Sequence, residues 1–200
     1  MIQRVRQQER IEREENGRLV EHLDNHADLN QRSYLLVGSR LEALATVQKW
    51  FHNLLNQSQS PTSTPPVWVG ESFDELNLAL AEGFTNAVRH AHANLPSSTP
   101  IVIEGWVQCR RIEIRIFDQG EPFDPDSLVE PQPGTLREGG YGWFLLRRLV
   151  DEATYESAQP EFLIKRLFAS ESVHSIHTYV TSSHADIERI CNCLKLVKIA

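Results

Sequence analysis

Apolar and polar positions change their period several times along this chain, and each change marks an element. Residues 34–37 form a short apolar run suited to a strand, after which Leu41, Leu44, Val47, Phe51, Leu54 and Leu55 recur at helical intervals. Ser39 followed by Glu42 has the form of a capping box opening that helix, which the spacing carries to about Gln57. Residues 58–66 are rich in Ser, Thr and Pro and cannot continue it. A second capping box, Ser72 with Glu75, opens a long helix that runs to about Ala93, before Pro96. Two alternating strands follow, one with Ile101, Ile103 and Val107 and one with Ile112, Ile114 and Ile116, and Cys109 and Arg110 supply the hairpin turn.

From 121 to 139 the chain carries Pro122, Pro125, Pro131, Pro133 and Gly134 with little apolar periodicity, which predicts a long loop of the kind usually tied to function. Residues 142–152 read as a helix offering Phe144, Leu145, Leu149 and Val150 for burial. Strand character returns at 153–157 and again at 193–199, and these two strands are expected to be neighbours in the sheet. The intervening segment, 160–190, is then expected to be a surface insertion whose ends lie close together. The competing expectation is that Phe162, Leu163, Leu167 and Phe168 cover an exposed part of the sheet. Residues 1–32 mix both charge signs with sparse apolar positions and are expected to form a charged, helical extension ahead of one domain at 33–200.

Size and charge narrow the function classes. With 200 residues, 40% of them hydrophobic, the chain suits one domain with a full core. The net charge of −7 and pI near 5.6 argue against a surface that tracks nucleic-acid phosphates. No apolar run approaches the roughly 20 residues of a bilayer span, and the start of the chain is too charged for a signal peptide. A cytoplasmic protein with neither a membrane nor a direct nucleic-acid partner is the expectation. Cys109, Cys191 and Cys193 have no CxxC spacing, and His22 and His26 have no third ligand placed with them, so neither a disulfide framework nor a metal site is indicated.

Three polar groupings carry candidate chemistry. Glu82, Asn86 and His90 recur every four residues along one face of the second long helix, with Arg89 beside them. Asp118 and Gly120 close the strand after Phe117, offering a carboxylate that can accept from an exocyclic amino group and a glycine that lets a flat ring approach. Gly140, Tyr141 and Gly142 directly precede a helix, whose free N–H groups and dipole favour phosphate. Each grouping alone also fits a bland structure: a solvated helix face, an Asp-x-Gly turn and a flexible loop.

In this order the three resemble the N, G1 and G2 boxes of the GHKL ATPases, the superfamily of gyrase B and the histidine kinases. The wording of LALAEGFTNAVRHAH and EGGYGWFLLRRLVDE is most similar to the anti-sigma factor serine kinases, and the resemblance resumes in NCLKLVKIA. It implies an α+β fold, a two-layer sandwich of mixed, mostly antiparallel sheet with helices on one face. It further implies ATP and Mg²⁺ as cofactors, with Glu82 as the general base, Asn86 as the metal ligand, and a nucleotide-binding set of Asn86, Arg89, His90, Asp118, Gly120, Gly140, Tyr141 and Gly142. The loop at 121–139 corresponds to an ATP lid. The implied activity is phosphorylation of an anti-sigma factor antagonist on Ser or Thr, the implied alternative partner is a sigma factor, and the implied assembly is a homodimer. Two other readings stay open: an ATP-binding sequestering module without catalysis, and a histidine-kinase-type catalytic domain.

Overall fold

The computed structural model describes residues 30–57, 67–129, 141–168, 175–179 and 183–200. Residues 1–29, and with them His22 and His26, lie outside the described residues; Asn30, Gln31 and Arg32, read from the sequence as part of the extension, instead open a strand. The elements run β1 (Asn30–Gly38), α1 (Leu44–Gln57), α2 (Val67–Glu71), α3 (Phe73–Asn86), β2 (Pro100–Gln108), β3 (Arg111–Asp118), α4 (Gly142–Leu149), β4 (Glu152–Ser157), α5 (Pro160–Phe168), β5 (Ser175–Thr178), α6 (His184–Glu188) and β6 (Asn192–Ile199). None of the described helices is long and apolar enough to cross a membrane.

The fold is α+β. Six strands form one mixed sheet in the order β4-β6-β3-β2-β1-β5, in which every pairing is antiparallel except that of β1 with β5. Successive strand residues face opposite sides. One side carries Leu35, Val37, Ile101, Ile103, Ile112, Ile114, Ile116, Leu194 and Leu196, all buried under α1, α3 and α4. These helices bring Val47, Phe51 and Leu54, then Leu76, Leu80 and Phe84, then Trp143 and Leu146. This is the main core.

The helical layer is not confined to that face. Tyr34, Leu36, Val102, Phe117 and Cys193, on the reverse side, form a second buried cluster with Leu163 and Leu167 of α5 and Ile187 and Ile190 at α6. The ends of the 160–190 segment lie close together, Ala158 N donating to Cys191 O at 2.8 Å, but the segment packs on the sheet as in the competing expectation, supplying an edge strand and a partial second layer. Its anchor is electrostatic as well as apolar. Glu104, buried on β2, accepts from Tyr34 Oη at 2.5 Å and from Arg166 Nη1 of α5 at 2.7 Å, and Arg32 lies 3.3 Å away. Burial and then the Glu104 charge push the Tyr34 phenol up to about 12. A buried carboxylate with this many donors fixes α5 to the sheet, because losing a donor leaves an uncompensated charge.

Neither expected capping box forms at the first two helix starts. Arg40 rather than Ser39 occupies the N-cap, and the chain enters α1 through a 3-10 turn at Leu41–Ala43. Ser72 has helical dihedrals, φ −88° and ψ −5°, because α2 runs almost directly into α3 and Ser72 N donates to Trp68 O at 2.9 Å. A capping side chain needs extended backbone at that position. A capping box does form at α6, between Ser183 and Asp186.

Candidate functional site

On α3, Glu82 and Asn86 stand one turn apart, both half-buried, and Asn86 Nδ2 donates to Glu82 Oε1 at 3.2 Å. With its nitrogen committed to that carboxylate, the amide leaves Oδ1 as a free hard acceptor. The helix then passes into a π turn, Ala87–Ala91, closed by His92 N donating to Ala87 O at 2.8 Å. Such turns collect at functional sites. Arg89 and His90 lie on it, exposed, with side chains that make no hydrogen bond or ion pair among the described residues.

The start of α4 meets the same pair. A Cβ placed at Gly142, where the helix begins, would meet Glu82 Oε1 and lie 3.1 Å from Asn86 Nδ2, so a larger residue there would have to displace the Glu82 carboxylate. Its unpaired N–H groups and positive dipole end are thereby brought beside the Glu82–Asn86 pair. Tyr141, at the N-cap, is exposed and makes no side-chain capping bond. Gly140 lies outside the described residues.

At the end of β3 the Asp118 carboxylate is buried and well partnered. Its Oδ1 accepts from Gly120 N and from Asn192 Nδ2, each at 2.9 Å, and its Oδ2 accepts from Tyr155 Oη at 3.1 Å. Oδ2 keeps acceptor capacity for one further donor. Asn192 also donates to Gly120 O at 2.7 Å, and Cys191 Sγ donates to the same oxygen at 3.2 Å. Burial, then the charge of Asp118, hold the Tyr155 phenol well above its ordinary range, so it stays a neutral donor. Phe123 packs edge-on against Tyr155, centroids 5.6 Å apart. Gly120 is pressed against α3: a Cβ there would come within 2.6 Å of Ala91 Cα. His92 Nε2 accepts from Gln119 N at 2.9 Å, and Gln119 Nε2 donates to Asp186 O at 2.7 Å.

Tyr155, Asn192 and His92 were not among the residues singled out from the sequence. A trace was there for Asn192, a polar residue in an apolar strand; Tyr155 and His92 gave no signal apart from proximity in the fold. Two cavities among the described residues lie elsewhere, one lined by Trp50, Asn53 and Tyr179 and the other by Val37, Arg40 and Thr46. They hold none of the candidate groups.

Among the described residues no three His, Cys, Asp or Glu side chains are grouped to hold a metal. The free Asn86 oxygen fits Mg²⁺ instead, an ion that takes few protein ligands and completes its shell with water and phosphate oxygens. A buried carboxylate with an unfilled lone pair, a glycine beside it and a helix start over a carboxylate–amide pair together fit an adenine nucleotide.

Comparison with known proteins gives the chain a family. Residues 37–164 match the family model described as histidine kinase-like ATPase domain. Among curated proteins, the serine-protein kinase RsbW of Oceanobacillus iheyensis is 39% identical over 90 residues, 41% of this chain and 56% of that protein. The RsbW of Staphylococcus epidermidis is 38% identical over 96 residues, covering 42% and 60%, and that of Bacillus velezensis 33% over 95 residues, covering 44% and 59%. The chain thus spans a little over half the length of the curated relatives it matches. The matched span includes Glu82, Asn86, Asp118 and Gly142, and the chain belongs to the histidine kinase-like ATPase domain family, which implies that it binds ATP.

Proposed function

We propose that this chain is an ATP-dependent serine/threonine protein kinase acting as an anti-sigma regulatory factor, which phosphorylates an anti-sigma factor antagonist and sequesters a sigma factor. The observation that carries this reading is the Glu82–Asn86 pair beneath the start of α4. It sets a carboxylate base beside the end of a helix suited to phosphate. The serine-protein kinase names of the relatives support the same choice.

In this reading Asp118 Oδ2 accepts from the adenine amino group while Asn192, Tyr155 and the Gly120 amide hold the carboxylate in place. Gly120, with no Cβ, lets the turn close against Ala91. The backbone at Gly140, Tyr141 and Gly142 receives the phosphates, and Arg89 and His90, free on the π turn, add contacts to them. Mg²⁺, held through Asn86 Oδ1, supplies neutralisation of the phosphate charge. Glu82 Oε takes the proton of the substrate hydroxyl as the new serine O–P bond forms and the bond to the ADP oxygen breaks. Closure of the 121–139 loop excludes water from this transfer.

The test is incubation with Mg-ATP and candidate antagonist proteins encoded nearby, followed by mapping of any phosphorylated residue. Phosphate on a Ser or Thr of one antagonist, lost with Glu82→Gln, is the expected result. ATP binding without transfer to any candidate would favour a nucleotide-dependent sequestering module.

A further inference from the structure

His92 has no part in the roles given above, yet it ties two halves of the site together. It closes the π turn of α3, and its side chain is buried, with the residue only 3% exposed. Its Nε2 accepts the Gln119 N–H at 2.9 Å. An acceptor at Nε2 requires the neutral ring with its proton on Nδ1, and Nδ1 is buried with no partner among the described residues. The next amide along, Gly120 N, bonds Asp118 Oδ1, and Gly120 itself abuts Ala91, the neighbour of His92. One imidazole therefore fastens the turn that bears Asp118 to the helix that bears Glu82 and Asn86.

We propose that His92 is a positioning residue for nucleotide binding that works only as the neutral ring: protonation removes the acceptor for Gln119 and loosens the turn that aims Asp118. This deepens the reading of Asp118 as the adenine contact and rests on it. Burial lowers the His92 pKa below its ordinary range, and the Asp118 charge on β3 opposes that without overcoming it. Arg89 and His90 on the same turn are exposed, while Asp186 and Cys191 meet the turn at Gln119 and Gly120. A lowered imidazole pKa keeps the neutral form through neutral pH. Affinity is therefore flat above the ordinary histidine value of about 6.5 and falls only below it.

The experiment is calorimetric titration of the full chain with Mg-ATP between pH 5 and 8, for the wild type, His92→Phe and His92→Gln. The wild type should lose about tenfold in affinity along the acid limb, the scale of one buried N–H left without its acceptor. His92→Phe should be weaker by about the same factor at neutral pH, with that limb removed. His92→Gln, whose amide oxygen can reach the Nε2 position and accepts without titrating, should restore most of the affinity and also lack the limb. An acid loss that does not come from His92 persists in all three. Nitrogen NMR of the wild-type ring, without nucleotide, should show the proton on Nδ1 and gives a readout even where the Phe variant does not fold. A wild-type profile shared by His92→Gln, or a ring protonated on Nε2, would overturn the proposal. A chain that binds no Mg-ATP at any pH would overturn the adenine reading itself.

Discussion

Asp118→Asn separates recognition from folding, because the carboxylate's protein partners and its proposed ligand use different oxygens. In the protein Oδ1 accepts from Gly120 N and Asn192 Nδ2, and an asparagine Oδ1 does the same. The new NH₂ replaces Oδ2, where the Tyr155 hydroxyl, now at 3.1 Å as donor, turns to accept. The number of internal hydrogen bonds is kept, so stability should change by no more than about 1 kcal/mol. The nucleotide meets a different surface: a donor now faces the donating amino group of adenine. Losing one hydrogen bond to a charged group costs on the order of 1.5 to 3 kcal/mol, roughly ten- to 150-fold in Kd. Guanine presents a carbonyl at the same position and should lose far less. Calorimetric Kd values for Mg-ATP and Mg-GTP, with thermal unfolding as the control, decide it. Equal losses for both nucleotides with unchanged Tm would refute the adenine contact.

Glu82→Gln should leave ATP affinity within a few fold, since the Asn86 amide retains an oxygen to donate to, yet slow phosphotransfer by about 10² or more as a general base is lost; single-turnover transfer to the antagonist measures this. Leu163→Ala, at a site 3% exposed between α5 and the sheet, should cost about 2 to 5 kcal/mol in urea unfolding, whereas a solvated insertion would show almost no change. Burial raises the Glu113 carboxyl, but hydrogen bonds and charge from Arg111 and Arg115 outweigh it and leave it below the ordinary range. A depressed folded value stabilises above the unfolded pKa and is lost as pH falls through the folded one. The stability gap between wild type and Glu113→Gln, followed by urea unfolding, should accordingly be widest near neutral pH and close in acid.

What could be read from the sequence was governed by local rules. Helical spacing put Glu82 and Asn86 on one face, alternation placed Asp118 at the end of its strand, and glycine before an apolar stripe marked the start at Gly142. Other features needed the tertiary structure. An amphipathic pattern in α5 says that Leu163 and Leu167 are buried, but not on which side of a sheet; the buried Glu104 and its contact with Arg166 decide that. The π turn at Ala87–Ala91 has no sequence period of its own, and it is what brings His92 rather than His90 to the Asp118 turn. Tyr155 and Asn192 reach Asp118 from strands far along the chain. Ser39 and Ser72 show the reverse failure: the capping pattern was present, but the extended N-cap position falls on Arg40 in place of Ser39, and Ser72 has helical backbone.

The most direct test of the account is the structure of the chain with Mg²⁺ and a non-hydrolysable ATP analogue. The account predicts the adenine amino group within hydrogen-bond distance of Asp118 Oδ2, Mg²⁺ bound to Asn86 Oδ1, and the terminal phosphate at the start of α4 with Glu82 facing it. Nucleotide bound elsewhere, or adenine turned away from Asp118, would contradict it.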